Sequence, residues 1–338
     1  MNRIIKGTEL AGFIHNALYT DLDERGFVHA HRFTDEQIKQ YAADSEIDGV
    51  DYTKRCLAAS NVTLEFVTDS DFAALEFQWS DMLGYSYVSI DCMVDGKLVH
   101  NFFDEKESHN FFAFKLPEGE HCVRIFLPWN AATPLKDLII SEGACIKPAE
   151  EKKLRILAFG DSITQGYVCR HPSMCYIGRV TGILDAEVLN QAIGGYCFEG
   201  GSLDSALSSW DPGLITLAYG TNDYSHRASA VEFESHMRGF MEKLTEIFPD
   251  TPVLGLMPIY RNDEGFYSRK LFRDYTHESS LQIIRDVYAD YRNVSVLEDT
   301  YFPQCRDFFY TDFLHPNDLG FGIYAEAVTE KISEIINR

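Results

Sequence analysis

Apolar and polar residues alternate over closely spaced short runs at residues 62–67, 74–79, 87–94, 97–103, 110–116 and 121–127. A period of two puts one face of each run on a core, so the first part of the chain predicts an antiparallel β-sandwich. Asp95-Gly96 joins two of these runs and has the composition of a type I′ hairpin, which needs positive φ at both turn residues. Residues 104–109 and the stretch Pro117-Glu118-Gly119-Glu120 supply further connections.

The pattern changes after residue 150. Unbroken apolar runs of strand length at 154–159, 186–189, 214–218, 253–257 and 294–297 alternate with helical patterns at 229–248, 271–288 and 318–336. Buried parallel strands connected by helices produce this alternation, so an α/β domain with a parallel sheet is expected. The polar stretch 147–153 contains Pro148 and reads as a linker, dividing the chain into a sandwich domain at 1–148 and an α/β domain at 149–338. The sequence contains neither an internal repeat nor a low-complexity segment.

Composition narrows the class of function. The chain has 338 residues, 45% of them hydrophobic and 24% charged, as expected for a globular protein of more than one domain. A net charge of −22 opposes sequence-independent binding to nucleic acid or to anionic membranes, so neither is an expected partner. No apolar signal core follows Met1, and no run of about eighteen apolar residues occurs, which gives a cytoplasmic expectation. The eight cysteines are thinly spread and are expected to be reduced thiols. Cys169, His171 and Cys175 cluster locally without a second ligand pair, so no metal is expected, and no cofactor either.

Candidate chemistry falls at the predicted strand ends. Gly160-Asp161-Ser162-Ile163-Thr164 follows the run at 154–159, and Asp312-Phe313-Leu314-His315-Pro316 lies far downstream. Between them stand Asn190-Gln191-Ala192-Ile193-Gly194-Gly195 and Gly220-Thr221-Asn222-Asp223. A serine hydroxyl is a poor nucleophile at neutral pH and needs a neutral imidazole to take its proton, the role His315 suits. A carboxylate three residues earlier, Asp312, can accept the other imidazole N–H. The tetrahedral intermediate needs donors for its oxyanion, and a glycine N–H or a neutral asparagine amide can supply them. Taken singly, Ser162 also suits a turn or helix cap, His315 a surface loop, and Gly195 a tight turn.

The four blocks, in this order, resemble the SGNH (GDSL) hydrolase family over roughly the C-terminal 190 residues. The resemblance implies a three-layer α/β/α catalytic domain, with Ser162, Asp312 and His315 as catalytic residues. It also implies an oxyanion hole formed by the N–H groups of Ser162 and Gly195 and the amide of Asn222. Gly194 beside Gly195 leaves that donor open by one residue. An α/β-hydrolase would show Gly-x-Ser-x-Gly and an acid well ahead of its histidine, unlike this chain.

A β-sandwich ahead of an SGNH domain looks like the layout of carbohydrate esterase family 2, with a jelly-roll-like first domain. The expected function is a serine esterase acting on small acyl esters, with acetyl on a sugar or oligosaccharide the leading substrate. Acyl transfer through the same acyl-enzyme, general short-chain esterase or thioesterase activity, and glycan binding without catalysis are the alternatives. Tyr167, Tyr196, Phe198, Tyr224, Phe313 and Arg261 lie near the motifs but are equally accounted for by packing or solvent exposure. Trp79 and Trp129 suit a glycan platform less well than a core. Oligomeric state is not legible.

Overall fold

The computed structural model describes residues 2–80, 83, 87–105, 110–261 and 274–337. In chain order, β1 (Arg3–Lys6), α1 (Gly7–Ala11), β2 (Ile14–His15), β3 (Tyr19–Leu22) and β4 (Val28–His31) precede α2 (Asp35–Asp48) and α3 (Tyr52–Leu57). Eight further antiparallel strands follow: β5 (Thr63–Thr68), β6 (Phe72–Phe77), β7 (Val88–Val94), β8 (Lys97–Asp104), β9 (Phe111–Lys115), β10 (His121–Phe126), β11 (Leu135–Ile140) and β12 (Ile146–Pro148).

The chain divides into two compact units, and the division is not a single cut at 148/149. The first unit comprises residues 1–32, 54–153 and 170–173. It holds two antiparallel sheets, one in the order β3-β4-β11-β6-β9 with β1 on β11, the other β12-β5-β10-β7-β8 with β2 on β5. Alternation sets their inner faces: Phe112 and Phe114 of β9 are buried while Phe111, Ala113 and Lys115 are exposed. Val123 and Ile125 of β10 join the same core as Leu75 of β6 and Leu138 of β11, so the two sheets share one hydrophobic interior. Trp79 packs against this core and Trp129 is buried. Asp95 and Gly96 both have positive φ, 49° and 75°, as the hairpin composition requires.

The expected linker is partly strand. Lys147 and Pro148 pair with Val67 and Phe66 of β5, and Lys152 is buried in an ion pair with Glu65. Of the connection expected at 104–109, residues 106–109 lie outside the described residues. Residues 170–173 belong to the sandwich because buried Asp91 of β7 accepts hydrogen bonds from the Ser173 N–H and hydroxyl and pairs with His171.

The second unit comprises residues 33–53, 154–169 and 174–338. Its elements are α2, β13 (Arg155–Gly160), α4 (Ser162–Gln165), α5 (Tyr176–Ile183), β14 (Glu187–Asn190), β15 (Leu214–Ala218), α6 (Thr221–His226), α7 (Ala230–Ile247), β16 (Val253–Leu256), α8 (His277–Ala289), β17 (Val294–Leu297) and α9 (Asp318–Ile336). All five strands are parallel, in the order β14-β13-β15-β16-β17. Helices α7 and α8 pack together, as do α5 and α9, giving the helical layers that cover a buried parallel sheet. Strand order reverses at β13, so the carboxyl ends of β13, β14 and β15 form a topological switch point, where open α/β sheets bind ligands. Of the helix expected at 271–288, residues 271–273 lie outside the described residues, and α8 starts at His277 behind the Thr276 cap.

Helix α2 has no counterpart in the pattern reading. It is bounded by a capping box between Thr34 and Gln37 and by Gly49 in the left-handed region. Its buried residues are Gln37 and Tyr41, and Gln37 donates to the Gln191 side chain at 2.8 Å and to the Ser202 carbonyl at 3.0 Å. A helix that docks through hydrogen bonds shows no apolar stripe at helical spacing.

Candidate active site

β13 delivers Ser162. After Gly160 the chain turns through Asp161 in extended backbone, whose carboxylate accepts the Ile163 N–H at 2.9 Å and caps α4. Ser162 is the first residue of that helix, and as such its N–H has no acceptor within the helix. Burial pushes the Asp161 carboxyl up to about 6.

The loop before α9 delivers His315. Asn317 caps α9 by accepting the Leu319 and Gly320 N–H groups, and the Tyr310 N–H donates to the His315 carbonyl, fixing the loop on both sides. Within it one Asp312 oxygen accepts the N–H groups of Leu314 and His315, both at 3.0 Å. The other oxygen lies 2.7 Å from His315 Nδ1, and His315 Nε2 lies 2.7 Å from Ser162 Oγ. Burial opposes ionisation of Asp312, but the His315 hydrogen bond and charge and the two backbone donors outweigh it and hold this carboxyl below its usual range. A carboxylate acceptor at Nδ1 assigns the proton to that nitrogen and leaves the Nε2 lone pair facing the serine hydroxyl.

The loop after β14 delivers Gly195. The Ile193 N–H donates to the Gly160 carbonyl at 3.0 Å, and the Gly194 N–H donates to the Gln165 side chain at 2.7 Å. These bonds tie the loop to the turn that carries Ser162. The Gly194 N–H is therefore already engaged. Gly195 has φ +81°, and among the described residues nothing accepts its N–H or that of Ser162. Asn222 lies on α6 after β15, where its amide donates one hydrogen to the Tyr196 carbonyl at 3.2 Å and keeps a second donor. Asp223 beside it is buried, accepts the Gly220 and Phe198 N–H groups, and is pushed by burial up to about 7.

Ser162, His315 and Asp312 thus form one hydrogen-bonded line, and Gly195 and Asn222 are joined through residue 196. Motif matching passed over Gln165, which holds the loop, and left Tyr167 and Tyr196 unassigned. Tyr167 stacks on the His315 ring, and Tyr196 sends its hydroxyl to Asp44 of α2 at 2.5 Å. Neither partnership has a local sequence signal, since each pairs residues more than a hundred positions apart. Phe198 packs in the core with Tyr219 and Phe240. Arg261 donates to the Thr221 carbonyl and the Ser225 hydroxyl and lies over the Tyr224 ring. Cys197 is buried, which raises its thiol well above the usual range and keeps it protonated.

A serine, a histidine and an aspartate in line at the carboxyl end of a parallel sheet define a serine-hydrolase-like α/β domain. Residues 158–323 match the GDSL-like Lipase/Acylhydrolase family, and the chain therefore carries a GDSL-like lipase/acylhydrolase domain. No curated protein matches the chain in sequence. Among solved structures it is similar to the salicylyl-acyltransferase SsfX3 from a tetracycline biosynthetic pathway, at 20% identity and TM-score 0.80, covering 99% of this chain and 97% of that one. A putative GDSL-like lipase from Bacteroides ovatus is 17% identical with TM-score 0.75, covering 100% and 98% of the two chains. A family two carbohydrate esterase from Cellvibrio japonicus is 16% identical with TM-score 0.67, also covering 100% and 98%. At these identities the likeness is one of fold.

Proposed function

We propose that this protein is a serine esterase that removes small acyl groups, acetyl above all, from a sugar or oligosaccharide. The observation that carries the reading is the line Ser162 Oγ, His315 Nε2, His315 Nδ1 and Asp312, with 2.7 Å at both junctions. Ser162 Oγ attacks the ester carbonyl carbon as its proton passes to His315 Nε2, and the carbonyl π pair moves onto oxygen. The N–H groups of Ser162 and Gly195 and the second amide hydrogen of Asn222 meet that oxyanion. As the intermediate collapses, the carbon–oxygen bond to the alcohol breaks and His315 returns the proton to the departing oxygen. Water then attacks the acyl-enzyme by the same route and releases the acid and free Ser162. Asp312 stays ionised throughout and steadies the imidazolium.

The sugar part of the proposal is supported by the whole-length similarity to a family two carbohydrate esterase. The same similarity to an acyltransferase favours a second reading, in which an acceptor alcohol rather than water takes the acyl group from Ser162. The eight cysteines form no disulfide, which supports action in a reducing, cytoplasmic compartment. Among the described residues no helix is long and apolar enough to cross a membrane.

Acetate release from acetylated sugars and oligosaccharides, run beside p-nitrophenyl acetate, butyrate and octanoate with Ser162→Ala as the blank, tests the proposal. Ser162-dependent release from sugars is expected. Activity confined to longer p-nitrophenyl esters overturns the sugar assignment, and ester formation outpacing hydrolysis when alcohols are added establishes the transferase reading.

A further inference from the structure

Tyr196 sits where the two halves of the proposed oxyanion pocket meet. Its N-terminal neighbour is Gly195, whose N–H is one donor, and its own carbonyl accepts an amide hydrogen from Asn222, another donor, at 3.2 Å. The orientation of residue 196 therefore sets both. Holding that orientation falls to side chains of residues 33–53, remote in sequence from every motif. The Tyr196 hydroxyl donates to Asp44 Oδ2 at 2.5 Å, while Asp44 Oδ1 accepts from Gln40 one turn earlier on α2 at 2.9 Å. Tyr41 and Tyr52 meet the Tyr196 ring edge-on, with centroids 4.9 and 5.1 Å away. The Tyr52 hydroxyl faces Asp48 at 2.8 Å and the Gly195 carbonyl at 3.4 Å, the carboxylate being the stronger acceptor.

A structural helix could be held to the domain by apolar packing alone. Here α2 grips the loop through polar contacts: Gln37 to Gln191 and Ser202, Thr34 to Asp204, and Asp44 to Tyr196. These contacts bracket the donor-bearing segment on both sides. Oxyanion donors work only when set beforehand at the position the charge will occupy, and a shift well under 1 Å costs rate. A phenol–carboxylate bond is a strong, directional tether for that purpose.

We propose that Asp44 and Tyr196 form a positioning pair through which α2 sets the Gly195 and Asn222 donors for the transition state. This inference rests on the serine-esterase reading. Neither residue touches the substrate, and their effect is transmitted through the loop.

The test is the kinetics of Tyr196→Phe, Asp44→Ala and the double variant on an acetate ester and on its thionoester, with Ser162→Ala in parallel. Sulfur is larger and a poorer acceptor than oxygen, so an enzyme with well-set donors prefers the ester, and the ester-to-thionoester ratio of kcat/KM measures that setting. Each single variant is expected to lower ester kcat about tenfold, with KM within about twofold, and to shrink the ratio. The double variant should be no worse than either single one, because both remove one bond. Asp44→Asn, which keeps an acceptor, should recover most of the rate.

A folded Asp44→Ala enzyme with wild-type kcat and ratio overturns the inference, as does a loss of rate that leaves the ratio unchanged. Should Tyr196→Phe lack a cooperative melt, Asp44→Ala and its Asn rescue decide alone. Full activity in Ser162→Ala would instead remove the esterase reading itself, an outcome separate from any result at Asp44.

Discussion

The ring of Tyr167 lies nearly parallel to the imidazole of His315, with centroids 5.6 Å apart and planes 23° from parallel. Tyr167 also packs so closely on Gly194 that a Cβ there would sit 2.6 Å from the ring. The stack fixes the plane of the imidazole between its two hydrogen bonds and covers one of its faces. Such ring pairs contribute on the order of 1 kcal/mol.

Tyr167→Leu should therefore lower kcat several-fold with little change in KM, and Tyr167→Phe should retain most of the rate. Gly194→Ala, whose added Cβ would push the Tyr167 ring out of place, should resemble Tyr167→Leu. Steady-state kinetics on p-nitrophenyl acetate checks this, and an unaltered Tyr167→Leu enzyme would count against the stack.

Ser162→Ala and His315→Ala should each reduce turnover by several orders of magnitude while leaving the thermal melt nearly unchanged, because the proposed nucleophile and base would act as a unit. Asp312→Asn should cost less than either, though it also weakens the loop, since Asp312 accepts two backbone N–H groups besides His315. Labelling by a fluorophosphonate reports the nucleophile independently of substrate. It should vanish in Ser162→Ala and slow strongly in Asp312→Asn.

These positions were the legible part of the chain. The five parallel strands follow from unbroken apolar runs, because a strand buried on both faces has no alternation to obscure it. The motifs at 160–164, 220–223 and 312–316 then fall at strand or loop ends. Strand β1 was illegible because only Ile5 of Arg3–Lys6 is buried, so one residue carries the whole pattern. Helix α2 was illegible for a related reason. Its docking face is Gln37, Tyr41 and Asp44, and hydrogen bonding leaves no periodic trace in hydropathy. Residues 33–53, which make those bonds, group with the second unit.

Asp161 gives the molecule a pH dependence. Burial raises its carboxyl from an ordinary value near 3.8 to about 6, so the folded state holds this proton more tightly than the unfolded chain does. The sign follows: its contribution to stability is fully present below pH 4 and is lost as pH rises to about 6, amounting to roughly 3 kcal/mol. Asp161→Asn keeps an acceptor for the Ile163 N–H and removes the ionisation. Urea unfolding from pH 4 to pH 7 should therefore show the variant gaining on wild type as pH rises. A constant difference across that range would refute the assignment to Asp161. Asp223, raised to about 7, should contribute in the same direction.

Gly195→Ala tests the loop in another way. At φ +81° a Cβ is strained by roughly 1–2 kcal/mol, which the loop relieves by rotating the peptide that carries the candidate donor. Stability should fall by about that amount, while kcat should fall by on the order of a hundredfold, far more than strain at an ordinary turn would produce. A variant that loses stability and keeps its turnover would show that Gly195 serves the turn alone.

The sandwich carries its own test in Glu65, which is buried on β5 with Arg124 at 2.9 Å and Lys152 at 3.3 Å. The Thr63 hydroxyl donates to the same carboxylate at 2.9 Å. The Arg124 Nη2 also donates to Glu65 Oε2 at 3.1 Å. Two cations on one carboxylate make the partners unequal under mutation. Removing Glu65 takes the carboxylate away from two cations in a desolvated site, and Glu65→Leu should cost about 3–5 kcal/mol. Lys152→Met leaves Glu65 paired with Arg124 and should cost much less. Chemical denaturation of the two variants gives the comparison, and equal losses would mean that Lys152 is the main counter-ion of Glu65.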